Sequence, residues 1–313
     1  MNMNGQRHQA FPGPAVPSPA SAPQGDAAGY VFKIAGSGRE LIQAFHLLYE
    51  EYRRAGYVAE SPHRLLFTRY HLLPETTVFL AKSGDEALST ATAVRDSRPF
   101  GLPMDDVFGE ELDRLRQSRR SILEVSSLAS NRRKFSRQGI TDFISLVYAH
   151  SLFQDVDDIC IMVNPRHVRL YMALFGFEIF GTQRHYARVN APAVALRVDV
   201  REARMKFGER TPLCSRPAGL ATLYASRGID ICARIRDTLE GCACGTAPSN
   251  PLDAVLASSI LAGRAAEMRA LTPQCRDMIA RLYPGVRVDD VDAEDVRTGW
   301  AESTPLEEGG RLL

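Results

Sequence analysis

The 313-residue sequence has no run of 18 or more apolar residues, so no membrane-spanning helix is expected. It also lacks an excess of either charge, because 38 lysines and arginines nearly balance 37 aspartates and glutamates. A net charge of +1 argues against a general nucleic-acid-binding protein. The stretch from Gln6 to Ala20 is interrupted by four prolines, so it does not form the apolar core of a secretion signal.

Cysteine is scarce, and six cysteines without regular spacing do not make a disulfide framework in a chain of this length. Cys242 and Cys244, with Cys232 upstream, lack the two-residue separation and the nearby histidines of a zinc knuckle, so no metal site is predicted. GxGxxG, P-loop lysine and HExxH motifs are also missing, and no permanently bound cofactor is predicted. These absences indicate a reduced, soluble, cytoplasmic protein.

Composition and periodicity divide the chain into three predicted regions. Residues 1–29 are rich in proline, alanine, glycine and serine without a hydrophobic period, which is typical of a disordered tail. Residues 30–200 alternate between strand and helix patterns. Residues 201–313 have no strand pattern and are dominated by alanine, leucine and arginine, which predicts a helical C-terminal region.

The middle region predicts an α/β fold with a mixed central sheet flanked by helices. Its strands are expected near 30–34, 76–81, 87–94, 121–129, 158–163, 178–182 and 194–198. Its helices are expected near 41–54, 107–117, 141–153 and 165–175. The nearly all-apolar segment 158–163 is typical of a central strand buried on both faces.

A glutamate lies in the middle of the apolar strand 121–129. Strand alternation puts Glu124, Ser126 and Leu128 on one face of the sheet. Burial disfavours an ionised carboxylate and would raise its pKa toward the range that suits a general base. The alternative is a structural glutamate paired with a nearby arginine, and composition alone favours that alternative.

Four cations follow this strand within six residues: Arg132, Arg133, Lys134 and Arg137. The loop leads past Gly139 into the next predicted helix, and a helix N-terminus after such a loop favours an anion such as phosphate. The alternative is a solvated basic loop. The concentration of charge in a nearly neutral chain nevertheless indicates an acidic partner.

A third segment follows the buried strand 158–163 and begins at Asn164. Val168, Tyr171 and Leu174 recur at helical spacing, and a packed helix is a sufficient explanation for them. Tyr171 could instead direct its hydroxyl into a cleft as a proton donor to a leaving group. His167 is interpreted as a surface or capping residue, because no serine or cysteine nearby would complete a triad.

Taken in order, these segments resemble the GNAT acyltransferase core. The strand Glu124-Val-Ser-Ser-Leu-Ala129, a basic loop, a helix, a strand and then Asn164-Pro165 carry the resemblance. With the preceding Gly101-Leu-Pro-Met-Asp105, the pattern is more particularly similar to the long-chain N-acyl amino acid synthases, relatives of the acyl-homoserine lactone synthases. The resemblance covers about residues 30–200.

The resemblance implies an acyltransferase. Its donor would be the long-chain acyl-phosphopantetheine of an acyl carrier protein, its acceptor the α-amine of an amino acid, and Glu124 the general base. Strand residues and two loop positions would bind the acyl-pantetheine arm: Val125, Ser126, Ser127, Leu128, Gly139 and Asn164. The four cations after the strand would attract the acidic carrier protein.

Departures from related patterns narrow the predicted substrates. Lactone synthases carry arginines where this chain has Leu48 and Ser127, which argues against homoserine-lactone chemistry. The coenzyme A signature of GNAT enzymes is reduced here to Arg137-Gln138-Gly139, which suits a carrier-protein donor that has no adenosine diphosphate.

Two other functions and the role of the C-terminal helices stay open at this point. One function is a coenzyme A-dependent GNAT enzyme that acylates another amine, and the second is a non-catalytic module that binds acyl carrier protein. The C-terminal helices could pack on the core, cover an acyl tunnel, mediate dimerisation or make a peripheral membrane contact.

Overall fold

The computed structural model describes residues 29–210, 222, 224–239, 250–261 and 268–286. Apart from Gly29, the predicted tail at 1–29 lies outside the described residues. The strands are β1 (Tyr30–Ile34), β2 (Thr77–Ser83), β3 (Glu86–Arg95), β4 (Ile122–Ser130), β5 (Asp158–Val163), β6 (Glu178–Tyr186), β7 (Ala191–Asp199) and β8 (Ile229–Ile231). The helices are α1 (Gly38–Arg54), α2 (Asp105–Gln117), α3 (Arg137–Leu152), α4 (Val168–Phe175), α5 (Val200–Arg210), α6 (Ala233–Leu239), α7 (Ala254–Leu261) and α8 (Pro273–Leu282).

These strands form one eight-stranded sheet in the order β6-β7-β5-β4-β3-β2-β1-β8. The β4–β5 and β1–β8 pairs are parallel, and the other pairs are antiparallel, so the predicted mixed sheet is confirmed. The expectation that strands end before residue 201 is wrong, because β8 extends the sheet beside β1. A strand of three residues is too short to produce a periodic pattern in the sequence.

Two hydrophobic clusters cover the two faces of the sheet. On one face, buried side chains of α1 and α2 pack with those of α7 and α8, among them Phe45, Phe108 and Ile279. On the other face, α3 packs with α5 and α6, and Phe143 is fully buried. We call these the α1 face and the α3 face. Burial of each large apolar side chain contributes about 1.5–3 kcal/mol to folding.

The helix α3 begins four residues earlier than the pattern predicts. Ser136 is its N-cap, and the Ser136 hydroxyl oxygen accepts a hydrogen bond of 3.0 Å from the Gly139 amide. Thr141, the predicted cap, instead donates its hydroxyl to the Arg137 carbonyl from inside the helix. Serine and threonine can make either bond, so the composition of this segment does not select the cap.

A β-bulge interrupts β4 at Ser127. Ser126 pairs with Thr92 and Ala129 pairs with Thr90, so β4 has one more residue than β3 over this stretch. Ser127 has a φ of 54°, in the left-handed region that non-glycine residues seldom adopt. Such a bulge bends the strand and shifts the side chains that follow it to the other face.

The bulge corrects the predicted alternation of β4. Regular alternation predicts Leu128 on the face of Glu124, but Leu128 packs with Val125 against the α3-face cluster. It predicts Ala129 on the opposite face, but Ala129 packs with Leu48 and Tyr49 of α1. The physical reason is the extra residue, because strand alternation holds only where pairing is regular.

The last two described helices, α7 and α8, pack on the α1 face. The Tyr283 hydroxyl donates a 2.7 Å hydrogen bond to the Leu72 carbonyl, and the Asn250 side chain donates to the carbonyls of His71 and Leu73. Within the described residues, no helix is both long and apolar enough to cross a membrane. The domain bounds, dimerisation and a peripheral membrane contact stay predictions.

Candidate active site

The strands β4 and β5 separate in the middle of the sheet. Their parallel pairing covers only three positions and ends where Glu124 is opposite Cys160. Both strands continue beyond this point, β4 to Ser130 and β5 to Val163. The β4 bulge lies in the unpaired part. The gap exposes strand edges whose backbone groups can hydrogen-bond an extended ligand, and we call it the wedge.

Glu124 lies at the closed end of the wedge and is completely buried. Its Oε2 accepts a 2.9 Å hydrogen bond from the Met104 amide, whereas Oε1 has no hydrogen-bond partner among the described residues. No arginine or lysine of the described chain forms an ion pair with Glu124, which contradicts the alternative of a structural Glu–Arg pair. Burial raises the Glu124 pKa to about 8; the Met104 amide opposes this rise, and the charges of Asp105 and Asp106 add to it.

The loop that presents Met104 is held by a network of charged residues. Arg116 donates to Asp96 at 2.8 Å and to Asp105 at 2.7 Å, so it joins the two ends of the loop. Gly101 has a φ of +66°, and a Cβ at this position would lie 2.4 Å from an Asp105 carboxylate oxygen. Only glycine fits this close approach. The network therefore fixes the amide that orients Glu124.

Two tyrosines that no sequence motif indicates lie near Glu124. The pKa values of both Tyr70 and Tyr186 are raised, first by burial and also by the negative charge of Glu124. Tyr70 donates its hydroxyl to the Leu102 carbonyl at 2.8 Å. The two tyrosines come from distant parts of the chain, so no local motif identifies them.

Tyr171 lies on α4, the helix that follows β5. Its half-buried ring packs at 5.9 Å from the Phe175 ring and 6.1 Å from the Phe177 ring, against the α3-face cluster. Burial alone raises its pKa to about 12. Glu124 contacts Met104 in the α1-face cluster, and no hydrogen bond among the described residues joins the two predicted catalytic residues. Whether Tyr171 acts as an acid stays a prediction.

Comparison with known proteins identifies the family. The family model described as N-acyl amino acid synthase FeeM matches residues 43–199. The chain belongs to the FeeM family of N-acyl amino acid synthases. It is therefore an N-acyltransferase, and the alternative of a non-catalytic binding module is not supported. No protein with a curated description matches the chain.

This family member is similar to several solved structures. The structure of FeeM from uncultured soil microbes is 28% identical and aligns with 56% of this chain and 93% of FeeM, with a TM-score of 0.50. With the mixed sheet, this match confirms the predicted GNAT-like fold. The coenzyme A-dependent acyl-homoserine lactone synthase BjaI, solved with SAM and isopentyl-CoA, is 16% identical over 68% of this chain and 100% of BjaI (TM-score 0.46). The lactone synthase LasI is 16% identical over 55% of this chain and 91% of LasI (TM-score 0.44).

The predicted pantetheine-binding residues of this FeeM-family enzyme are divided between the wedge and its surroundings. Val125, Ser126, Ser127 and Leu128 all lie on β4 beyond its last pair with β5. The side chain of Asn164 accepts a 3.2 Å hydrogen bond from the Arg166 amide and so caps the short 3-10 turn Pro165–His167. Binding of the pantetheine arm by these residues stays a prediction.

Gly139 has a packing role at the start of α3. A Cβ on Gly139 would lie 2.5 Å from the Phe135 ring, so glycine lets that ring approach the helix. The Gly139 amide is already bound by the Ser136 hydroxyl. This bond leaves one fewer free amide for the phosphate that the sequence pattern predicts at this helix N-terminus.

The four predicted carrier-binding cations are all exposed, and Lys134 pairs with Glu86 at 2.8 Å. Among the described residues, no acidic side chain forms an ion pair with Arg132, Arg133 or Arg137. Burial lowers the pKa of His167, and the charges of Arg166 and Arg132 lower it further. The basic loop therefore lies near the start of α4, which brings positive charge to one end of the wedge. No three side chains of the described residues are placed to hold a metal ion.

Proposed function

We propose that this enzyme moves a long-chain acyl group from an acyl carrier protein thioester to the α-amine of an amino acid. The product is an N-acyl amino acid. The observation that carries the proposal is Glu124, a buried carboxyl with one unpartnered oxygen where two strands separate. Family membership supplies the reaction class, and this carboxyl supplies the proton acceptor that the reaction needs.

The reaction requires an uncharged amine. An α-amine is mostly protonated at neutral pH, so it must lose a proton before its lone pair attacks the thioester carbonyl. The Glu124 Oε1, directly or through one water, accepts that proton. A pKa of about 8 leaves about one-tenth of the carboxyl ionised at pH 7. A base with a pKa near the working pH is well matched to proton transfer.

Attack forms a C–N bond and a tetrahedral oxyanion with a positively charged nitrogen; this nitrogen releases its second proton to solvent, and collapse breaks the C–S bond. Backbone N–H groups along the unpaired part of β4 would stabilise the oxyanion, which is usually the largest contribution in acyl transfer. The thiolate leaves and takes a proton from Tyr171 or from solvent. Because a thiol has a pKa of only about 8.5, the acid is the least necessary group.

The exposed cations favour a carrier protein as donor. Carrier proteins are strongly acidic, and Arg132, Arg133 and Arg137 are exposed without ion pairs to described residues. BjaI is a coenzyme A-dependent enzyme, so acyl-coenzyme A is the alternative donor, and another amine is the alternative acceptor. No coenzyme is proposed as a permanent cofactor.

An assay of the purified enzyme with two acyl donors tests this proposal. The enzyme is incubated with a mixture of amino acids and with either acyl carrier protein or coenzyme A bearing the same long acyl chain. We expect mass spectrometry to find N-acyl amino acids, formed faster from the carrier protein at equal donor concentration. Faster synthesis from acyl-coenzyme A would contradict acyl carrier protein as the donor. N-acylation of other amines with no product from any amino acid would contradict an amino acid as the acceptor.

Charge reversal in the basic loop gives a second prediction. Arg132→Glu with Arg133→Glu raises KM for the acylated carrier protein about 10-fold at low ionic strength, because attraction becomes repulsion. At 0.5 M salt the increase falls below about 3-fold, because screening shortens the range of these charges. The control is Arg53→Glu with Arg54→Glu, which changes net charge equally at the end of α1. An increase that is the same at every salt concentration would contradict electrostatic attraction.

A further inference from the structure

Four buried side-chain atoms of the described residues have no hydrogen-bond partner: Gln43 Oε1, Arg69 Nε, Ser97 Oγ and Glu124 Oε1. Buried polar atoms are nearly always hydrogen-bonded, so each unpartnered one requires an explanation. Glu124 Oε1 is explained by the proposed catalytic role. Arg69 Nε is a donor, lies in the short 3-10 turn Arg69–Leu72, and has no role in the mechanism described above.

A chain of hydrogen bonds connects Arg69 to Glu124 through one loop. Arg69 Nη2 donates to the Tyr70 hydroxyl at 2.8 Å, and that hydroxyl donates to the Leu102 carbonyl at 2.8 Å. Two residues further along, the Met104 amide donates to Glu124 Oε2 at 2.9 Å. The negative charge of Glu124 also acts on the pKa of Tyr70. The Glu124 carboxyl therefore contacts this short segment directly, and the Arg69 guanidinium is connected to it through the Tyr70 hydroxyl.

Arg69 is a half-buried cation without an ion pair to any described residue. Its guanidinium lies 4.9 Å from the centre of the Tyr70 ring. Asp106 acts on it electrostatically but forms its ion pair with Arg188 at 2.7 Å. Burial opposes the charge of Arg69, yet Tyr70 and Asp106 favour it, and its pKa stays above the usual value. An anionic group of a ligand would give this cation an ion pair and give its Nε a hydrogen-bond acceptor.

We infer that Arg69 binds the α-carboxylate of the acceptor amino acid while its amine faces Glu124 Oε1. The inference rests on the proposed function and adds the residue that recognises the acceptor. An amino acid carries an amine and a carboxylate on one carbon, and this site presents a proton acceptor and a cation beside one loop. An amine without a carboxylate leaves the Arg69 Nε donor unpaired. Arg69 therefore selects amino acids over other amines.

The test compares two acceptors in Arg69→Gln. One acceptor is the amino acid that the wild type uses best, and the other is the amine left when its carboxylate is removed. Loss of a charge-assisted hydrogen bond predicts a 10- to 100-fold fall in kcat/KM for the amino acid. We expect less than a 3-fold change in kcat/KM for the amine. The ratio of the two kcat/KM values, which measures the preference for the amino acid, therefore falls nearly as much as kcat/KM for the amino acid. The control is Arg64→Gln. Arg64 is an exposed arginine that lies, like Arg69, between α1 and β2, and it pairs with Glu50.

An unchanged preference in Arg69→Gln would overturn the inference and leave the proposed function intact. If Arg69→Gln loses activity toward both acceptors, Arg69→Lys decides, because it keeps the positive charge. Amino acid preference in Arg69→Lys supports the inference, and loss of that preference overturns it. Failure of the wild type to acylate any amino acid would overturn the proposed function, and this inference with it.

Discussion

Replacement of Glu124 by glutamine lowers kcat with a long-chain acyl carrier protein by about 10²–10⁴-fold, the usual contribution of general base catalysis. Glutamine has nearly the same shape, and its amide oxygen can still accept the hydrogen bond of the Met104 amide. It cannot take up a proton from the amine. Steady-state kinetics should therefore show a fall in kcat with little change in KM for the carrier protein.

The matched control for this variant is Cys160→Ala. Cys160 is fully buried and pairs with Glu124 across the last position before the strands separate. Its replacement disturbs packing at the same place but removes no proton acceptor, since burial raises the pKa of this thiol well above its usual value. We expect kcat to stay within a few-fold of wild type. Equal kcat in wild type and Glu124→Gln would remove Glu124 from the mechanism.

The buried carboxyl also makes the stability of the protein depend on pH. Its pKa is about 8 in the folded state, compared with 4.5 for an unperturbed glutamate. Between these values the folded state holds a proton that the unfolded state has lost, so the free energy of unfolding falls as pH rises. Each pKa unit between the two states corresponds to about 1.4 kcal/mol. Ionisation of Glu124 therefore lowers the free energy of unfolding by roughly 3–5 kcal/mol by pH 9.

Glu124→Gln removes this cost because glutamine does not titrate. In urea unfolding, the variant should have nearly the stability of wild type at pH 5 and exceed it by several kcal/mol at pH 9. Other titrating groups affect both proteins equally, so they do not contribute to the difference in the free energy of unfolding between the variant and wild type. A difference that is the same from pH 5 to pH 9 would show that Glu124 has an ordinary pKa in the folded state.

The sequence predicts the sheet and the position of Glu124 within β4, because both follow from the hydrophobic pattern. β4 and β5 are apolar segments bounded by polar ones, and a carboxyl within such a strand is conspicuous. The same reasoning fails at Ser127, because a bulge depends on pairing with β3 and a serine at positive φ has no sequence signal. Leu128 is therefore predicted on the wrong face.

The environment of Glu124 is not predicted, because it depends on contacts between distant segments. Its hydrogen-bond partner is a backbone amide, which every residue except proline carries. Its neighbours Tyr70 and Tyr186 are more than a hundred residues apart. Arg69 has no local pattern that separates it from the other arginines, and only its buried Nε without a hydrogen-bond partner distinguishes it.

A measurement of the protonation state of Glu124 tests most directly whether this side chain is a buried, unpaired proton acceptor. Infrared difference spectra between wild type and Glu124→Gln isolate the C=O stretch of a protonated carboxyl at this position. We expect that band at pH 6 and its loss with a midpoint near pH 8, since burial raises this pKa. Absence of the band at pH 6 would mean an ionised carboxylate, and it would contradict a buried, unpaired proton acceptor in the wedge.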